Sequence, residues 1–293
     1  MPELPEVETV VRLHRTRLEG RVIHGFVSRW KRQASPSVPK LTRSILGKRI
    51  SRLWRRAKWI VADLEPNGHL LIHLRMSGRF ELVDRAATKT AAEPTHARAL
   101  FDFDDGSRLY FCDARKFGRI QYVDDMSTID ADLGIEPLGD DFTIAAFSEA
   151  LNGRRRLLKP LLLDQRIIAG IGNIYADEAL FTAGLHPLRK AHRLKANEIA
   201  ALHAAIVHVL TLGIKHNGTM IDWIYPEGRM QNHLQVYGRT GEPCNRCGEP
   251  ITALRVGQRG THICPTCQPR RARSNGRGIV PAVQRVPNRQ SVA

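Results

Sequence analysis

Four cysteines near the C-terminal end constrain the fold of this chain more than any other feature. Cys244 and Cys247 form a CNRC motif, and Cys264 and Cys267 form a CPTC motif after sixteen intervening residues. Each CxxC unit can turn two thiolates toward one tetrahedral metal ion, and the intervening segment is long enough for a β-hairpin. The alternative is a redox pair, but redox chemistry does not need two matched CxxC units. We predict one structural zinc, because four protein ligands leave no open position for catalysis.

The charge of the chain indicates the class of its partner. The sequence has 293 residues, of which 42% are hydrophobic, so it is long enough for more than one globular domain. It carries 45 Lys and Arg against 29 Asp and Glu, a formal net charge of +16. This predicts a polyanionic partner, with nucleic acid favoured over an anionic membrane surface. There is no secretory signal pattern and no uninterrupted apolar run that would span a bilayer, so we expect a soluble, cytoplasmic protein.

The hydrophobic pattern predicts an α+β fold. Residues 2–19 have helical periodicity and end at Gly20, and residues 21 to about 125 alternate like the strands of a mostly antiparallel β domain. From about 143 to 215 the pattern is helical again, and the cysteine hairpin follows. The lone Cys112 is expected to be a small buried hydrophobe. Residues 269–293 contain six Arg and no acid, and we expect a disordered basic tail.

The opening residues, MPELPEVET, have two interpretations. Proline and acidic residues suit the first turn of a helix, so Pro2, Glu3 and Glu6 could only be capping it. The other interpretation is that Pro2 is a nucleophile once Met1 has been removed. An α-amino group has a pKa of about 7.7–8.0, so a useful fraction is neutral at cellular pH. Attack by this secondary amine on a sugar carbon would leave a cationic iminium, which promotes elimination.

A glycine turn in the middle of the chain is a possible phosphate site. The segment LLLDQRIIAGIGNIYADEALF is predicted to be a helix, a turn with Gly170 and Gly172, and a second helix that Asn173 caps. Free N–H groups at such a helix start suit a phosphate. An ordinary helical hairpin is the alternative.

Several motifs together resemble one family. PELPEVET, Lys58, HLRMSG, DARKFG, the glycine-turn segment, VYGRTGEPC and the two CxxC units occur in the order seen in the formamidopyrimidine-DNA glycosylase family, which is related to endonuclease VIII. The resemblance covers residues 2 to about 268. It implies an N-terminal helix with a two-layer antiparallel β-sandwich (1–135), a helical DNA-binding domain with a helix–two-turn–helix (136–234) and a β-hairpin zinc finger (235–268), before the tail (269–293).

The same resemblance implies base-excision repair. The expected activity is that of a DNA glycosylase and AP lyase, which removes 8-oxoguanine and formamidopyrimidines from duplex DNA through a Schiff base on Pro2, followed by β,δ-elimination. Leu4 favours these purine lesions over the oxidised pyrimidines of endonuclease VIII. A non-catalytic zinc-finger protein that binds damaged DNA is the other alternative. We expect one zinc, no organic cofactor, no membrane partner, a monomer, and a location in the bacterial cytosol or nucleoid.

Individual roles are also carried over from the family. Besides Pro2, the resemblance implies Glu3 as general acid and base, Lys58 as an aid to elimination, and Arg259 as the ligand of the phosphate beside the lesion. It implies supporting roles for Glu6 and His73. The DNA-binding positions are expected to be His96, Arg115, Arg154, Asn173, Met76 and Phe117, with Met76 and Phe117 wedged into the base stack and Arg115 facing the orphaned cytosine.

One region departs from the family. Residues 218–234, where the family has a loop over the extruded base, contain Trp223, Tyr225 and Pro226 in an atypical arrangement, which leaves the fine lesion preference open.

Overall fold

The structure is a computed structural model that describes residues 1–88, 92–220 and 228–270. It divides into two compact units, Met1–Leu133 with Gly213–Gln231, and Gly134–Leu212 with Asn232–Ala293. The loop predicted at 218–234 is described only at its two ends, so Trp223, Tyr225 and Pro226 lie outside the described residues. All but the first two residues of the predicted tail also lie outside them. The domain boundaries at 135, 234 and 268 stay predictions.

The first unit opens with helix α1, Leu4–Leu18, as the periodicity predicts. Pro5 stands in the first turn, where the missing N–H costs no helical hydrogen bond. Val7, Val11 and Leu18 lie on one face and are almost fully buried. Gly20 follows the helix with a φ of +86°, a left-handed conformation that favours glycine. The helix therefore packs one apolar face against β3 (Arg49–Arg56) and β4 (Trp59–Glu65).

Two sheets form a sandwich in this unit, which confirms the predicted β domain. The other strands are β1 (Ile23–Ser28), β2 (Ala34–Ser35), β5 (His69–His73), β6 (Gly78–Val83), β7 (Ala97–Phe103), β8 (Arg108–Asp113) and β9 (Arg119–Val123). One sheet has the order β1-β7-β8-β6 and the other β2-β9-β5-β4-β3. All neighbours are antiparallel except β2 and β9. One core cluster joins apolar residues of both sheets and α1, so the inner faces pack together.

Two short helices in this unit were not predicted from the sequence. Helix α2, Val38–Ile45, begins after Ser37, whose hydroxyl accepts from the N–H of Lys40, and it buries Leu41 and Ile45. Helix α3, Ser127–Asp130, is a single turn with no buried residue. Elements this short contain too few periods for a hydrophobic pattern to distinguish them from loops.

The second unit is helical, as predicted, and ends in a β-hairpin. Its helices are α4 (Ile144–Leu151), α5 (Leu158–Leu162), α6 (Asn173–Thr182) and α7 (Ala196–Lys215), and its strands are β10 (Thr252–Val256) and β11 (Arg259–Ile263). Within the stretch predicted to be helical from about 143 to 215, the run RRRLLKPLLLD becomes helical only at Leu158. Pro160 is tolerated because it stands in the first turn.

The expected cap of α6 was wrong. Gly172 is the N-cap, and Asn173 is the first helical residue. The side-chain amide of Asn173 donates to the carbonyl oxygen of Gly260 at 3.1 Å, so it is bound to the hairpin rather than to its own helix.

Within the described residues, α7 is long and apolar enough to cross a membrane on length and composition alone. Leu202, Ile206 and Leu210 are fully buried on one face of it. A core helix that buries such a face meets the same criterion.

Candidate active site and metal centre

The start of α1 is buried and is hydrogen-bonded to a distant part of the chain. Pro2 is buried, and Glu3 and Glu6 are 2% and 0% exposed. One carboxylate oxygen of Glu6 accepts from the N–H of Glu3 at 2.8 Å. The other accepts from the N–H of Thr219 at 2.8 Å and from its hydroxyl at 3.2 Å. A single carboxylate therefore fixes the helix start to Thr219.

Gly218 allows this contact. Its φ is +73°, and a Cβ there would lie 2.7 Å from Cγ and Oε1 of Glu6. The two ends of the segment 221–227 are also hydrogen-bonded to each other. The N–H of Met230 donates to the carbonyl of Gly218 at 2.9 Å, and the N–H of Met220 donates to the side-chain oxygen of Gln231 at 3.0 Å. The base of the loop is thus closed and bound to the start of α1.

Lys58 lies in the turn between β3 and β4 and is only 5% exposed. The preceding residue, Ala57, has a φ of +53° and is also buried. Arg55 ties the turn to α1, because its guanidinium lies 3.2 Å from Oε2 of Glu8 and donates to the carbonyl of Ala57 at 3.1 Å. This ion pair is nearly buried, so the turn that carries Lys58 is held firmly beside α1.

His73 lies at the end of β5, and burial lowers its pKa to about 3, with the positive charges of Arg75, Lys58 and Arg119 adding to the effect. The imidazole is therefore neutral at cellular pH. Its Nδ1 accepts from the N–H of Arg75 at 3.0 Å, which leaves the proton on Nε2 as a donor. Neutral His73 and the surrounding cations make this corner of the unit suited to a phosphate.

Met76, Arg115 and Phe117 lie on two neighbouring connections between the sheets. Phe117 is 47% exposed, Met76 is half-buried, and the Arg115 guanidinium lies 5.1 Å from the centre of the Phe117 ring. His96 has a φ of +62°, and its carbonyl accepts from the N–H of Asp113 at 2.9 Å. The first unit therefore brings these four predicted DNA-binding residues to one group of loops.

In the second unit, Arg259 opens β11 directly after the hairpin turn. The two turn residues, Gly257 and Gln258, have φ values of +54° and +65°, which matches the twist of a tight two-residue hairpin. A Cβ at Gly257 would lie 2.8 Å from Pro160 of α5, so the turn packs closely on that helix. The hairpin that carries Arg259 is therefore fixed to the helical part of its unit.

A buried ion pair attaches the hairpin to the helices of its unit. Lys159 and Asp177 are both fully buried, with Nζ 2.6 Å from Oδ1. The Lys159 ammonium also donates to the carbonyl of Gly260 at 2.8 Å and to the hydroxyl of Thr261 at 2.9 Å. Asp177 in turn accepts from the N–H of His262 at 3.0 Å. Helices α5 and α6 thus bind the backbone beside Arg259 through charge-assisted hydrogen bonds.

Arg154 and Asn173 also lie in the second unit but in different settings. Arg154 is exposed, and its guanidinium donates to the carbonyl of Ala150 at the end of α4, at 2.7 Å. Asn173 is half-buried against the hairpin.

The four predicted metal ligands meet at one point. The Sγ atoms of Cys244, Cys247, Cys264 and Cys267 all lie within 4.8 Å of one another. The individual separations of 3.4, 3.6 and 3.9 Å compare with about 3.8 Å expected for four thiolates around a tetrahedral zinc. The N–H groups of Arg246 and Cys267 point at the sulfurs of Cys244 and Cys264, both at 3.4 Å, as thiolate charge requires. The site fits one structural zinc. Cys112 is separate from it, and burial raises its pKa to about 11.

Several buried polar residues beside the predicted functional residues of each unit were not predicted from the sequence. Thr219, Ser77, Asp113, Lys159 and Asp177 are buried polar side chains that bind the segments beside the predicted functional residues. Nothing in the spacing of the sequence could have paired them, because their partners are distant along the chain.

Three family models match the chain. They are the formamidopyrimidine-DNA glycosylase N-terminal domain (residues 1–120), the formamidopyrimidine-DNA glycosylase H2TH domain (133–224), and the zinc finger found in FPG and IleRS (241–270). The fold and site are thus those of a DNA glycosylase with a zinc finger. Among curated relatives, the formamidopyrimidine-DNA glycosylase of Herpetosiphon aurantiacus is 46% identical, over 92% of this chain and 100% of the relative. That of Chloroflexus aggregans is also 46% identical, over 92% and 98%.

Solved structures agree with this similarity. The complex of Lactococcus lactis Fpg with DNA containing an abasic site is 35% identical, covers 92% of this chain and 100% of that chain, and has a TM-score of 0.84. MutM in complex with DNA containing carbocyclic 8-oxo-G is 36% identical with the same coverage, and its TM-score is 0.85. The chain belongs to the formamidopyrimidine-DNA glycosylase family. Glycosylase and AP lyase activities are characteristic of that family.

Proposed function

We propose that this protein excises oxidised purines, such as 8-oxoguanine and formamidopyrimidines, from duplex DNA and then cleaves the abasic strand. Relatives in this family were solved with DNA containing FAPY-dG, 8-oxo-G or an abasic site, which supports this substrate class. We further propose that it acts as a monomer in the bacterial cytosol or nucleoid. The curated relatives named above come from bacteria.

Pro2 is the nucleophile of the proposed reaction. The observation that carries the proposal is the buried start of α1, where the Glu6 carboxylate binds both the N–H of Glu3 and Thr219. Such a fixed helix start holds the Pro2 nitrogen in one place and at the positive end of the helix, which favours the neutral amine. Met1 precedes Pro2 in the chain, so removal of Met1 is required before the nitrogen can react.

The bond changes assign roles to the neighbouring groups. The Pro2 nitrogen bonds to C1′ as the glycosidic bond breaks, and the departing base takes a proton. Glu3 supplies protons to the base and to the sugar ring oxygen as general acid, and later removes protons as base. The nitrogen loses its proton and the C1′–O4′ bond breaks as O4′ is protonated, which leaves a C1′ iminium on Pro2. Removal of a C2′ proton sends its electron pair toward this iminium, and the resulting enamine expels the 3′ phosphate. Removal of the C4′ proton then expels the 5′ phosphate. Lys58 assists elimination, and Arg259 binds phosphate with its two-pronged guanidinium.

Borohydride trapping tests the nucleophile. Full-length protein with a free Pro2 amine should form a covalent adduct with an 8-oxoguanine duplex when the iminium is reduced. A form that keeps an extra residue before Pro2 should bind the same duplex but give no adduct. Adduct formation by the extended form would contradict the role of Pro2. A thymine glycol duplex tests the pyrimidine alternative, because preferential trapping on it would overturn the purine assignment.

A matched pair of variants tests the acid. Glu3→Gln should lower excision of 8-oxoguanine by about 10²- to 10⁴-fold, the usual contribution of a positioned general acid. Glu65→Gln removes an exposed carboxylate at the end of β4 that is remote from Lys58, and should leave the excision rate within about twofold. Equal effects of the two substitutions would contradict the assignment to Glu3.

A further inference from the structure

The strand register of the sandwich places two loops side by side. Leu74–Ser77, the first corner loop, connects β5 of the five-stranded sheet to β6 of the four-stranded sheet. Ala114–Gly118, the second corner loop, returns from β8 to β9. His73 is paired with Arg119 at one end, and Gly78 with Asp113 at the other. The two loops therefore cross between the sheets side by side in opposite directions, and they carry Met76, Arg115 and Phe117.

One buried carboxylate binds both corner loops. Asp113 is fully buried at the end of β8. Its Oδ1 accepts from the hydroxyl of Ser77 in the first corner loop, and its Oδ2 accepts from the N–H of Gly118 in the second, at 2.7 Å. The Ser77 oxygen also accepts from the N–H of Arg115 at 3.0 Å. Ser77 directly follows Met76, Gly118 directly follows Phe117, and Arg115 makes the third bond itself.

The packing beneath the loops leaves little freedom for another arrangement. A Cβ at Gly118 would lie 2.5 Å from the buried ring of Phe111 and 3.1 Å from Oδ2 of Asp113. A Cβ at Gly78 would lie 2.5 Å from the carbonyl of Leu74 and 2.8 Å from the same ring. Both loops thus rest on Phe111, and the Asp113 carboxylate sets their separation.

We propose that Asp113, acting through Ser77, is the positioning residue that holds Met76, Arg115 and Phe117 in the arrangement needed to extrude the damaged base and to recognise the base opposite. This inference rests on the proposed function. Side chains that fill the gap left by an extruded base must lie at fixed separations, because a displacement of about 1 Å is enough to lose much of their contribution to the reaction. The charged acceptor also strengthens both hydrogen bonds relative to a neutral one.

The test uses Ser77→Ala and Asp113→Asn in the full-length, Met1-processed protein. Ser77→Ala removes the hydroxyl that lies between Asp113 and Arg115. This substitution removes a single oxygen atom, so it keeps the test available if Asp113→Asn prevents folding. We expect each variant to slow single-turnover excision of 8-oxoguanine from a duplex by about 10- to 100-fold, as for loss of a hydrogen bond to a charged group. Cleavage of a single strand that already contains an abasic site should change less than about twofold, because no base must be extruded.

The control removes another hydrogen bond from a serine hydroxyl to an aspartate, at the end of β8 opposite to Asp113. The Ser107 hydroxyl donates to Oδ1 of Asp105 at 2.6 Å in the turn before β8. Ser107→Ala and Asp105→Asn should alter neither activity by more than about twofold. Excision opposite cytosine relative to adenine supplies a second readout, and this ratio should fall in the Ser77 and Asp113 variants only.

Three results would overturn the positioning role. They are unchanged duplex excision, equal losses on the duplex and on the abasic single strand, and an unchanged ratio between cytosine and adenine. Failure of the proposed function itself would look different, since the unsubstituted protein would then act on neither substrate.

Discussion

The buried ion pair between Lys159 and Asp177 predicts a large, local effect on the zinc hairpin. Replacing Lys159 with Met keeps the length of the side chain but leaves the Asp177 carboxylate buried without its cation. At 2.6 Å and an effective dielectric constant of about 20, the attraction is about 6 kcal/mol before desolvation is counted. Removing one partner of a buried pair costs about 3–5 kcal/mol, because the other charge remains desolvated. The carbonyl of Gly260 and the hydroxyl of Thr261 lose the same donor.

Amide hydrogen exchange shows which part of the chain loses stability when the ion pair is broken. In Lys159→Met, the amides of β10 and β11 should exchange faster by about two to three and a half orders of magnitude, since every 1.4 kcal/mol is a factor of ten. Amides of the first unit should be unaffected. The double variant Lys159→Met with Asp177→Asn removes both charges and keeps an acceptor for the His262 N–H, so part of the protection should return.

A surface pair in the same unit is the control. Arg156 and Asp164 are also 2.6 Å apart, but their side chains are 46% and 27% exposed. Arg156→Met should therefore cost at most about 1 kcal/mol. If Lys159→Met changed hairpin protection no more than Arg156→Met, the ion pair would not be what anchors the hairpin.

Three further predictions follow from the site. A left-handed backbone costs a non-glycine residue about 1–2 kcal/mol, and Gly218→Ala should destabilise the first unit by more than this, because its Cβ would lie 2.7 Å from Glu6. Gly47 has a φ of +74° and nothing within 4 Å of a built Cβ, so Gly47→Ala should show the backbone penalty alone in urea unfolding. Equal losses of unfolding free energy in the two variants would contradict the close contact. Burial lowers the pKa of His73 to about 3, so between about pH 6.5 and 3 the unfolded chain binds a proton that the folded chain does not. The contribution of His73 to the unfolding free energy is therefore complete above pH 6.5 and is lost as the pH falls, by at most about 1.4 kcal/mol per pH unit. His73→Gln should flatten this pH dependence of the unfolding free energy. An unchanged slope in this variant would refute a buried neutral imidazole. Removal of zinc with a chelator should abolish amide protection in β10 and β11 but not in β4 and β5, and retained protection of the hairpin would show that the four thiolates do not support it through a metal.

Features encoded by local spacing were predictable from the sequence. The metal ligands belong to this group, because two CxxC units and one hairpin bring four sulfurs together without help from the rest of the chain. Helix α1 and most of the sandwich strands were predictable for the same reason, since alternation and helical periodicity describe which face of each element is buried. The short helix α2 and the capping of α6 by Gly172 were not, because they depend on single residues within one turn.

The predicted functional residues were identified by their motifs, but the polar groups that hold them were not. Glu6 and Thr219 are 213 positions apart, and Ser77 and Asp113 are 36 apart. Strand register brings Ser77 to Asp113, and close packing at Gly218 brings Thr219 to Glu6.

The sequence alone therefore determined the longer helices, most of the strands and the metal ligands, and its motifs indicated the chemistry that the chain can carry. Only the tertiary structure decided which buried carboxylate meets which donor. A hydrophobic pattern records that a face is buried, whereas a hydrogen-bond partner depends on the register and separation of elements that are remote in the chain.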